Sequence, residues 1–497
     1  MSTEAYFDRY RRNIVGHDLE FETPYGRKPL IYADWIASGR LYGPIEDRMA
    51  NTFGPYVGNT HSESSVTGTS MTRAYHEARA IIKRHVNAGP NDVIIAAGSG
   101  MTGVINKLQR ILGLRAPERL MDQIRVPEAE RSVVFLTHME HHSNQTSWLE
   151  TIADVEWVPP MPNGECCLET LEAAVKKFGD RPKIGSFTAC SNVTGVRTPY
   201  HKMAKVMHEH GGLCFIDFAA SAPYDPIDMH PADEAERLDA VFLSPHKFLG
   251  GPGSAGVMVF DAALDNNRVP DNPGGGTVDW TNPWGEHRFV DNIEDREDGG
   301  TPGFLQTMRA ALAIRLKEEI GCDAIHKREQ ELLARAFEGM GQIPGLVMLA
   351  DHLRDRLGVI SFYMEGIHYN LIVKLLNDRY GVQVRGGCSC AGTYGHYLLH
   401  VDPDHSHSIT DRINAGDLSA KPGWVRLSLH PTMTDDDLET VIGALGDIAR
   451  NAKEWEADYR YQLQTNEFVH LNEQPLAVEG WFDLSVEADR LTHEADS

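Results

Sequence analysis

The chain has 497 residues, a formal net charge of −24 and a hydrophobic content of 41%. This length exceeds what one simple hydrophobic core supports, so two domains are expected. The negative charge argues against nucleic acids and anionic membranes as main partners, and no apolar run reaches the length of a membrane span.

Cysteine usage indicates a reducing compartment. The seven cysteines are sparse and odd in number, which does not suit a disulfide framework. The N-terminal stretch MSTEAYFDRYRRN is charged and lacks the apolar core of a secretory signal. We therefore expect a cytoplasmic protein.

The first three hundred residues alternate between predicted helices and strands. A helix over 3–15 and an amphipathic helix over 71–88 come before a series of apolar runs, each ending in polar residues. These runs are DVIIAAGSG, RSVVFLTHMEHH, KIGSFTACSN, GGLCFID and DAVFLSPHK. The alternation predicts an α/β fold with a mostly parallel sheet covered by helices, and ligands in such folds bind at the carboxyl ends of the strands.

The remainder of the chain predicts a smaller α+β domain. A long helical stretch begins near residue 304, three strand signals follow, and TDDDLETVIGALGDIARNAKEWEADY begins as a helix should. The predicted division is an N-terminal segment over 1–30 that packs with the small domain, a large domain over 31–305, a small C-terminal domain over 306–455, and an acidic tail over 456–497.

Lys247 is the first candidate for catalysis. It follows the apolar run of DAVFLSPHK, where a charged lysine would be costly to bury. A lysine that is neutral or covalently used avoids that cost, and such a lysine forms a Schiff base with a carbonyl cofactor. The predicted cofactor is pyridoxal 5′-phosphate, and an ordinary lysine with its ammonium in solvent is the alternative.

The neighbouring strand ends carry groups that this cofactor requires. Asp217 ends an apolar strand, where its carboxylate needs a cationic partner such as a protonated pyridine nitrogen. GSGMTG over 98–103 joins a strand to a helix, so its backbone N–H groups, including those of Gly100 and Met101, and the Thr102 hydroxyl can bind phosphate. Ser244 and His246 can add donors, and His141 could stack on the ring.

These residues carry a resemblance to a known family. The sequence resembles the pyridoxal-phosphate enzymes of the class V aminotransferase fold, most closely the branch of cysteine desulfurases and selenocysteine lyases. The resemblance covers roughly residues 30 to 450. The matching pieces, in order, are YADWIASGR, GSGMTGVIN, HMEHHSNQTSW, SNVTGVRTP, FIDFAAS, SPHK, GGTPG, RGGCSCAG and WVRLSL.

The resemblance implies a fold of type I and a role for each matched residue. Arg426 would bind the substrate carboxylate, Asn192 would lie near the ring hydroxyl or the substrate, and Cys390 would be the nucleophile that removes sulfur. Thr301 would reach the phosphate of the neighbouring subunit's cofactor, which implies a homodimer. For the other positions the implied roles agree with those argued from the residues: Lys247, Asp217, His141, Thr102, Ser244 and His246.

The function implied is the removal of sulfur from L-cysteine, giving L-alanine and an enzyme persulfide that a protein acceptor could discharge. An aminotransferase, an epimerase or a C–S or C–Se lyase of the same fold stays open, as does a non-catalytic or metal-binding protein. Cys388 competes with Cys390 for the nucleophile's role. A zinc site formed by Cys388, Cys390, His396 and His400 is disfavoured because ligands one residue apart are poorly spaced, so no metal is expected.

Two features depart from the family pattern. The family usually has a glutamine three residues after the aspartate, where this chain has Ala220. The region over 393–423 is longer than usual and rich in histidine. We expect the run over 396–407 to be a solvated loop, and the whole insertion could cover the site.

Overall fold

The computed structural model describes residues 2–60, 63–473 and 476–483. Its helices are α1 Thr3–Arg11, α2 Gly43–Asp47, α3 Val66–His85, α4 Met101–Ile111, α5 Glu118–Met121, α6 His142–Leu149, α7 Leu168–Lys176, α8 Tyr200–Glu209, α9 Ile293–Arg296, α10 Phe304–Ile320, α11 Cys322–Gly341, α12 Tyr369–Tyr380, α13 Gly392–Leu398, α14 Pro403–Asn414 and α15 Asp435–Trp455.

The strands are mostly short. They are β1 Glu20–Thr23, β2 Gly26–Pro29, β3 Ile31–Tyr32, β4 Asp92–Ala97, β5 Val133–Thr137, β6 Asp154–Val158, β7 Lys183–Thr188, β8 Leu213–Asp217, β9 Ala240–Leu243, β10 Gly256–Asp261, β11 Val278–Thr281, β12 His287–Phe289, β13 Leu346–Met348, β14 Val359–Met364, β15 Val382–Gln383, β16 Arg385–Gly387, β17 Trp424–Ser428, β18 Tyr459–Gln462 and β19 Glu467–His470.

A seven-stranded sheet organises the first part of the chain, in the order β4-β10-β9-β8-β7-β5-β6. The five strands from β9 to β6 are parallel, and β10 and β4 complete the edge in antiparallel pairing. Strands β5, β7 and β9 are buried along their whole length, because helices cover both faces. The predicted α/β fold with a mostly parallel sheet is confirmed. Strands β6 and β10 were not predicted.

A smaller antiparallel sheet, in the order β13-β14-β17-β16, organises the second part. Its core includes Leu332 and Phe337 of α11, Leu375 of α12 and Leu445 of α15. The long helical stretch predicted from residue 304 is two helices, α10 and α11, divided at Gly321. This glycine has a φ of +86°, in the left-handed region that side-chain-bearing residues rarely adopt.

The two ends of the chain pack against these cores. Phe7 and Tyr10 of α1 belong to the core of the larger sheet, whereas Tyr25 packs against that of the smaller sheet. Tyr459 and Phe468 of the β18–β19 hairpin are part of the smaller core. The first part of the predicted tail over 456–497 is therefore packed structure, and its part from 484 lies outside the described residues.

The histidine-rich run over 396–407 is not the expected loop. It lies in α13 and the start of α14, whose N-cap Asp402 accepts from the His405 backbone N–H. Its histidines, His396, His400, His405 and His407, are exposed. Within the described residues, no three His, Cys, Asp or Glu side chains are grouped so that they could hold a metal ion. No helix in the described ranges is both long and apolar enough to cross a membrane.

Candidate active site

A cavity of about 400 Å³ opens at the carboxyl ends of β5, β7, β8 and β9, facing β16 and β17 of the smaller sheet. This is the edge where parallel α/β sheets bind ligands. The cavity brings together all but one of the predicted site residues, namely Gly100, Met101, Thr102, His141, Asn192, Asp217, Ser244, His246, Lys247, Cys390 and Arg426. Thr301 is exposed and does not line this cavity of its own chain.

Lys247 and Asp217 face the cavity from neighbouring strand ends. Burial lowers the pKa of Lys247 to about 8, and Arg426 and Arg385 act in the same direction against the attraction of Asp217. Burial raises the pKa of Asp217, although the carboxylate accepts from the Ala219 N–H at 2.8 Å. Lys247 therefore loses its proton more readily than an exposed lysine does, and the buried Asp217 carboxylate can pair with a cation.

The N-terminus of α4 forms a cradle on one side of the cavity. The Met101 N–H donates to Ser244 Oγ at 2.9 Å, and His246 Nδ1 lies 2.9 Å from the Ser99 carbonyl. A side chain at Gly100 would bring its Cβ within 3.1 Å of the His246 ring and 3.2 Å of Ser244 Oγ. Glycine therefore keeps the approach to this helix end open, and a helix N-terminus of this kind favours an anion.

His141 precedes α6 and caps it. Its Nδ1 accepts from the Ser143 N–H at 3.1 Å, so the proton of the neutral ring is assigned to Nε2. Burial, and then the charge of Lys247, lowers the pKa of His141 to about 3.

A buried polar network supports this turn. The Glu140 carboxylate accepts from Thr137, from Thr188 N–H and from Asn144 Nδ2. Asn144 Oδ1 in turn accepts from Ser186 Oγ at 2.7 Å. Burial raises the pKa of Glu140 to about 7. Because these groups lie at the ends of β5 and β7, the network fixes the position of His141 relative to the sheet.

Arg426 and Arg385 lie directly opposite each other on β17 and β16. Such a like-charge pair is unfavourable unless a counter-charge lies near it. Asp34 supplies that charge, with Oδ1 at 2.6 Å from Arg426 Nη2 and Oδ2 at 3.4 Å from Arg385 Nε. Arg426 is 2% exposed, and its Nε has no partner within the described residues. The guanidinium therefore has capacity for a further acceptor in the cavity.

Cys390 lies at the cavity, and Cys388 does not line it. Cys390 is exposed and Cys388 is half-buried. Ser389 and Cys390 have φ values of +51° and +56°, an uncommon conformation for residues other than glycine. Asn192 holds this loop by donating from Nδ2 to the Ser389 carbonyl at 2.7 Å, and its buried Oδ1 has no partner in the described structure.

Three contributors to the site were not predicted from the sequence. Asp34 lies in the quoted piece YADWIASGR, but nothing in that piece marks it as the partner of an arginine nearly four hundred residues away. Glu140 and His142 flank His141 in a run of polar residues, and nothing in that run predicts which contacts each of them makes. Ala220 lines the cavity at the position where the family usually has glutamine, so this chain offers no side-chain donor there.

The chain is similar to known proteins in both sequence and fold. The family described as "Aminotransferase class-V" matches residues 31–441. A probable cysteine desulfurase of Staphylococcus aureus strain Mu50 is 30% identical over 368 residues, which cover 73% of this chain and 84% of that protein. One of Staphylococcus epidermidis is 30% identical over 374 residues, covering 74% and 85%.

Solved structures share the fold at lower identity. A cysteine desulfurase of Thermococcus onnurineus superposes with a TM-score of 0.71 at 21% identity, covering 89% of this chain and 98% of that one. The cysteine desulfurase CsdA of Escherichia coli superposes with a TM-score of 0.67 at 20% identity, covering 85% and 94%. The protein belongs to the class V aminotransferase family.

Proposed function

We propose that the protein is a pyridoxal-phosphate-dependent enzyme that removes sulfur from L-cysteine, giving L-alanine and a persulfide on Cys390. The observation that carries the proposal is the presence of Cys390 in the cavity that also contains Lys247, Asp217 and Arg426. The curated relatives named above are probable cysteine desulfurases.

The donor set of the cavity fits pyridoxal phosphate. Lys247 would bond to the aldehyde carbon, Asp217 would pair with the protonated pyridine nitrogen, and the ring of His141 would lie against the pyridine. The phosphate would bind at the start of α4, with the N–H groups after Gly100 and the hydroxyls and ring of Thr102, Ser244 and His246. The unpartnered Asn192 Oδ1 is a buried acceptor that a polar ligand can satisfy.

Bound pyridoxal phosphate supplies an electron sink for the substrate carbon. The protein's own residues do the rest. Arg426, already desolvated, binds the substrate carboxylate and orients the amino acid. Lys247, with its pKa lowered to about 8, accepts and returns a proton near neutral pH. Neutral His141 can donate from Nε2 without placing a second positive charge beside Lys247.

The sulfur step requires a thiolate at Cys390. The thiolate attacks the substrate sulfur, so that an S–S bond forms as the substrate's C–S bond breaks. The electron pair of the C–S bond stays on the carbon, which takes up a proton and becomes the methyl group of alanine. The enzyme is left with a persulfide, and we propose that a protein acceptor removes its outer sulfur.

We propose further that the enzyme is a cytoplasmic homodimer. In this arrangement Thr301, exposed in its own chain, reaches the phosphate of the partner subunit's cofactor. Gly299 and Gly300 precede Thr301, and Gly300 has a φ of +88°, so the turn needs a residue without a side chain there. A dimer whose Thr301 lies far from both cofactors would contradict this assignment alone.

The test compares Cys390→Ala with Cys388→Ala, a matched control two residues away. We expect Cys390→Ala to lose alanine and persulfide formation from L-cysteine by at least about 100-fold, because no other thiol occupies the same place. It should keep the visible absorbance of the bound cofactor, and Cys388→Ala should stay within about threefold of wild type.

The products should be read together as alanine, sulfide, pyruvate and keto acids. Release of alanine by Cys390→Ala at the wild-type rate would contradict the desulfurase proposal. Pyruvate as the main product would then indicate a lyase, and a keto acid formed with loss of the amino group would indicate an aminotransferase.

A further inference from the structure

His142 connects α6 to the loop that carries Cys390 through both its backbone and its ring. Its backbone N–H donates to the Cys390 carbonyl at 2.8 Å. Its Nε2 accepts from the Gly392 N–H at 2.9 Å. One turn later in α6, Gln145 Oε1 accepts from the Thr393 hydroxyl at 3.0 Å. The start of α6 is thus hydrogen-bonded to Cys390 and to the residues that follow it in the loop.

The loop needs such external support. Ser389 and Cys390 are consecutive left-handed residues, and each has a side chain that disfavours this conformation. A Cβ at Gly392 would lie 3.3 Å from His142 Nε2, so glycine allows the ring to come close to the backbone. The contacts from α6 act together with the bond from Asn192 to the Ser389 carbonyl to hold the loop in this conformation, with Cys390 at the cavity.

The contact with Gly392 requires a neutral ring, since a protonated imidazole has no acceptor atom. Burial lowers the pKa of His142 below its usual 6.5, and the charge of Lys421 lowers it further. The nearest titratable ring is that of His141, whose centroid is 6.3 Å away and which is neutral. Lys421 lies near the C-terminal end of the insertion over 393–423. Its positive charge disfavours protonation of His142, so the insertion helps to keep Nε2 of the ring free to accept a hydrogen bond.

We propose that His142 is a positioning residue that places Cys390 for attack on the substrate sulfur, through the bond from the Gly392 N–H to its neutral ring. The inference rests on the proposed function of Cys390. It goes beyond that function because it gives the insertion a part in the reaction and makes sulfur extraction depend on the protonation of a residue that does not line the cavity.

The experiment measures the first turnover of L-cysteine to alanine by the holoenzyme between pH 5 and 8. His142→Phe keeps a ring but removes the acceptor, and His142→Gln supplies an amide oxygen near the position of Nε2 that does not titrate. Lys421→Gln removes the neighbouring charge. His405→Gln, an exposed histidine in the same insertion, is the matched control. Alkylation of Cys390 by iodoacetamide, read by peptide mass, reports the loop independently of turnover.

We expect His142→Phe to slow the first turnover about tenfold at pH 7.5, the scale of one lost hydrogen bond, with KM for cysteine unchanged. His142→Gln should restore most of the rate at pH 7.5. The ratio of the wild-type rate to the His142→Gln rate should fall as pH drops below 6.5, because this ratio cancels the pH dependence of the steps that both enzymes share. Lys421→Gln should move that fall to higher pH. Rates for His405→Gln should follow the wild type throughout.

Two results separate the possible failures. If His142→Phe matches the wild type in both turnover and Cys390 alkylation, or if the ratio of wild-type to His142→Gln rates stays constant from pH 8 to pH 5, the positioning role is wrong. If Cys390 alkylation differs severalfold between wild type and His142→Phe while neither forms alanine from cysteine, the contact stands and the proposed desulfurase function fails.

Discussion

Asp34 is predicted to be the residue outside the cavity lining whose loss disturbs the site most. It lies between two arginines that face each other on adjacent strands, and its Oδ1 is 2.6 Å from Arg426 Nη2. Asp34→Ala removes the counter-charge of a guanidinium that is only 2% exposed. Asp34→Asn keeps an acceptor oxygen of the same shape but removes the negative charge.

The magnitude follows from burial. Breaking a buried ion pair by removing one partner costs about 3–5 kcal/mol, because the remaining charge is left without compensation. The Asp34 side chain is 15% exposed, so the pair is close to this limit. The contact with Arg385 adds little, since that side chain is 49% exposed. We expect Asp34→Ala to lower the free energy of unfolding by about 3 kcal/mol, and Asp34→Asn by about half as much.

Equilibrium urea denaturation of the holoenzyme measures this loss, and Asp411→Asn on the exposed side of α14 is the matched control. The double variant Asp34→Ala with Arg426→Met should be more stable than Asp34→Ala alone, because no buried charge is left unpaired. A double variant less stable than Asp34→Ala would refute the reasoning. Since Arg426 loses its orientation, KM for cysteine should rise about tenfold in Asp34→Ala while cofactor absorbance persists.

Three further predictions concern the cofactor residues and acid stability. Lys247→Ala should abolish turnover and the absorbance of lysine-bound cofactor without unfolding the chain, as spectroscopy and circular dichroism will report; full activity would contradict its role. Asp217→Asn should lower kcat by at least about 100-fold with a smaller loss of cofactor binding, because the amide cannot keep the pyridine nitrogen protonated; an unchanged kcat would place that partner elsewhere. His430 stacks on Trp35 at 3.8 Å, and burial lowers its pKa to about 3. Its stabilisation is complete above pH 6.5 and declines by about 1.4 kcal/mol per pH unit between pH 6.5 and pH 3, so urea titrations should show a weaker acid dependence for His430→Gln than for wild type.

Most strands of the larger sheet were predictable because each is marked by a pattern within a few consecutive residues. Strands β5, β8 and β9 are continuous apolar runs that end in polar residues, and β7 has a similar pattern interrupted by Ser186. Each of these strands is followed by turn or helix signals. Strand β10 was missed although it is equally apolar, because it follows the Lys247 loop without an intervening helix. An alternating strand and helix pattern cannot reveal an antiparallel strand of this kind, which lies between β4 and β9.

The site residues likewise divide into those that a local sequence pattern predicts and those that depend on long-range packing. Lys247, Asp217 and the start of α4 were predictable because each lies at a strand end whose residues suit one role. The partner of Arg426 was not predictable, since Asp34 and Arg426 are joined only through the packing of the smaller sheet against residues 31–40. The histidine-rich insertion was misread because polar and charged residues on an exposed helix resemble those of a solvated loop; its buried Ile409 is the one apolar anchor in α14.

The segment over 31–40 sets the spacing between the two halves of the site. At one end Asp34 pairs with Arg426, and its backbone bridges to Ser428 of β17. At the other end the Gly39 N–H donates to the His246 carbonyl at 2.9 Å. A Cβ on Gly39 would lie 1.9 Å from the Phe248 carbonyl oxygen, so only glycine allows this approach. Because only four residues lie between Asp34 and Gly39, the lysine loop and the substrate arginine cannot move apart without breaking one of these contacts. The distance between the cofactor-binding and substrate-binding groups is therefore set by this short stretch.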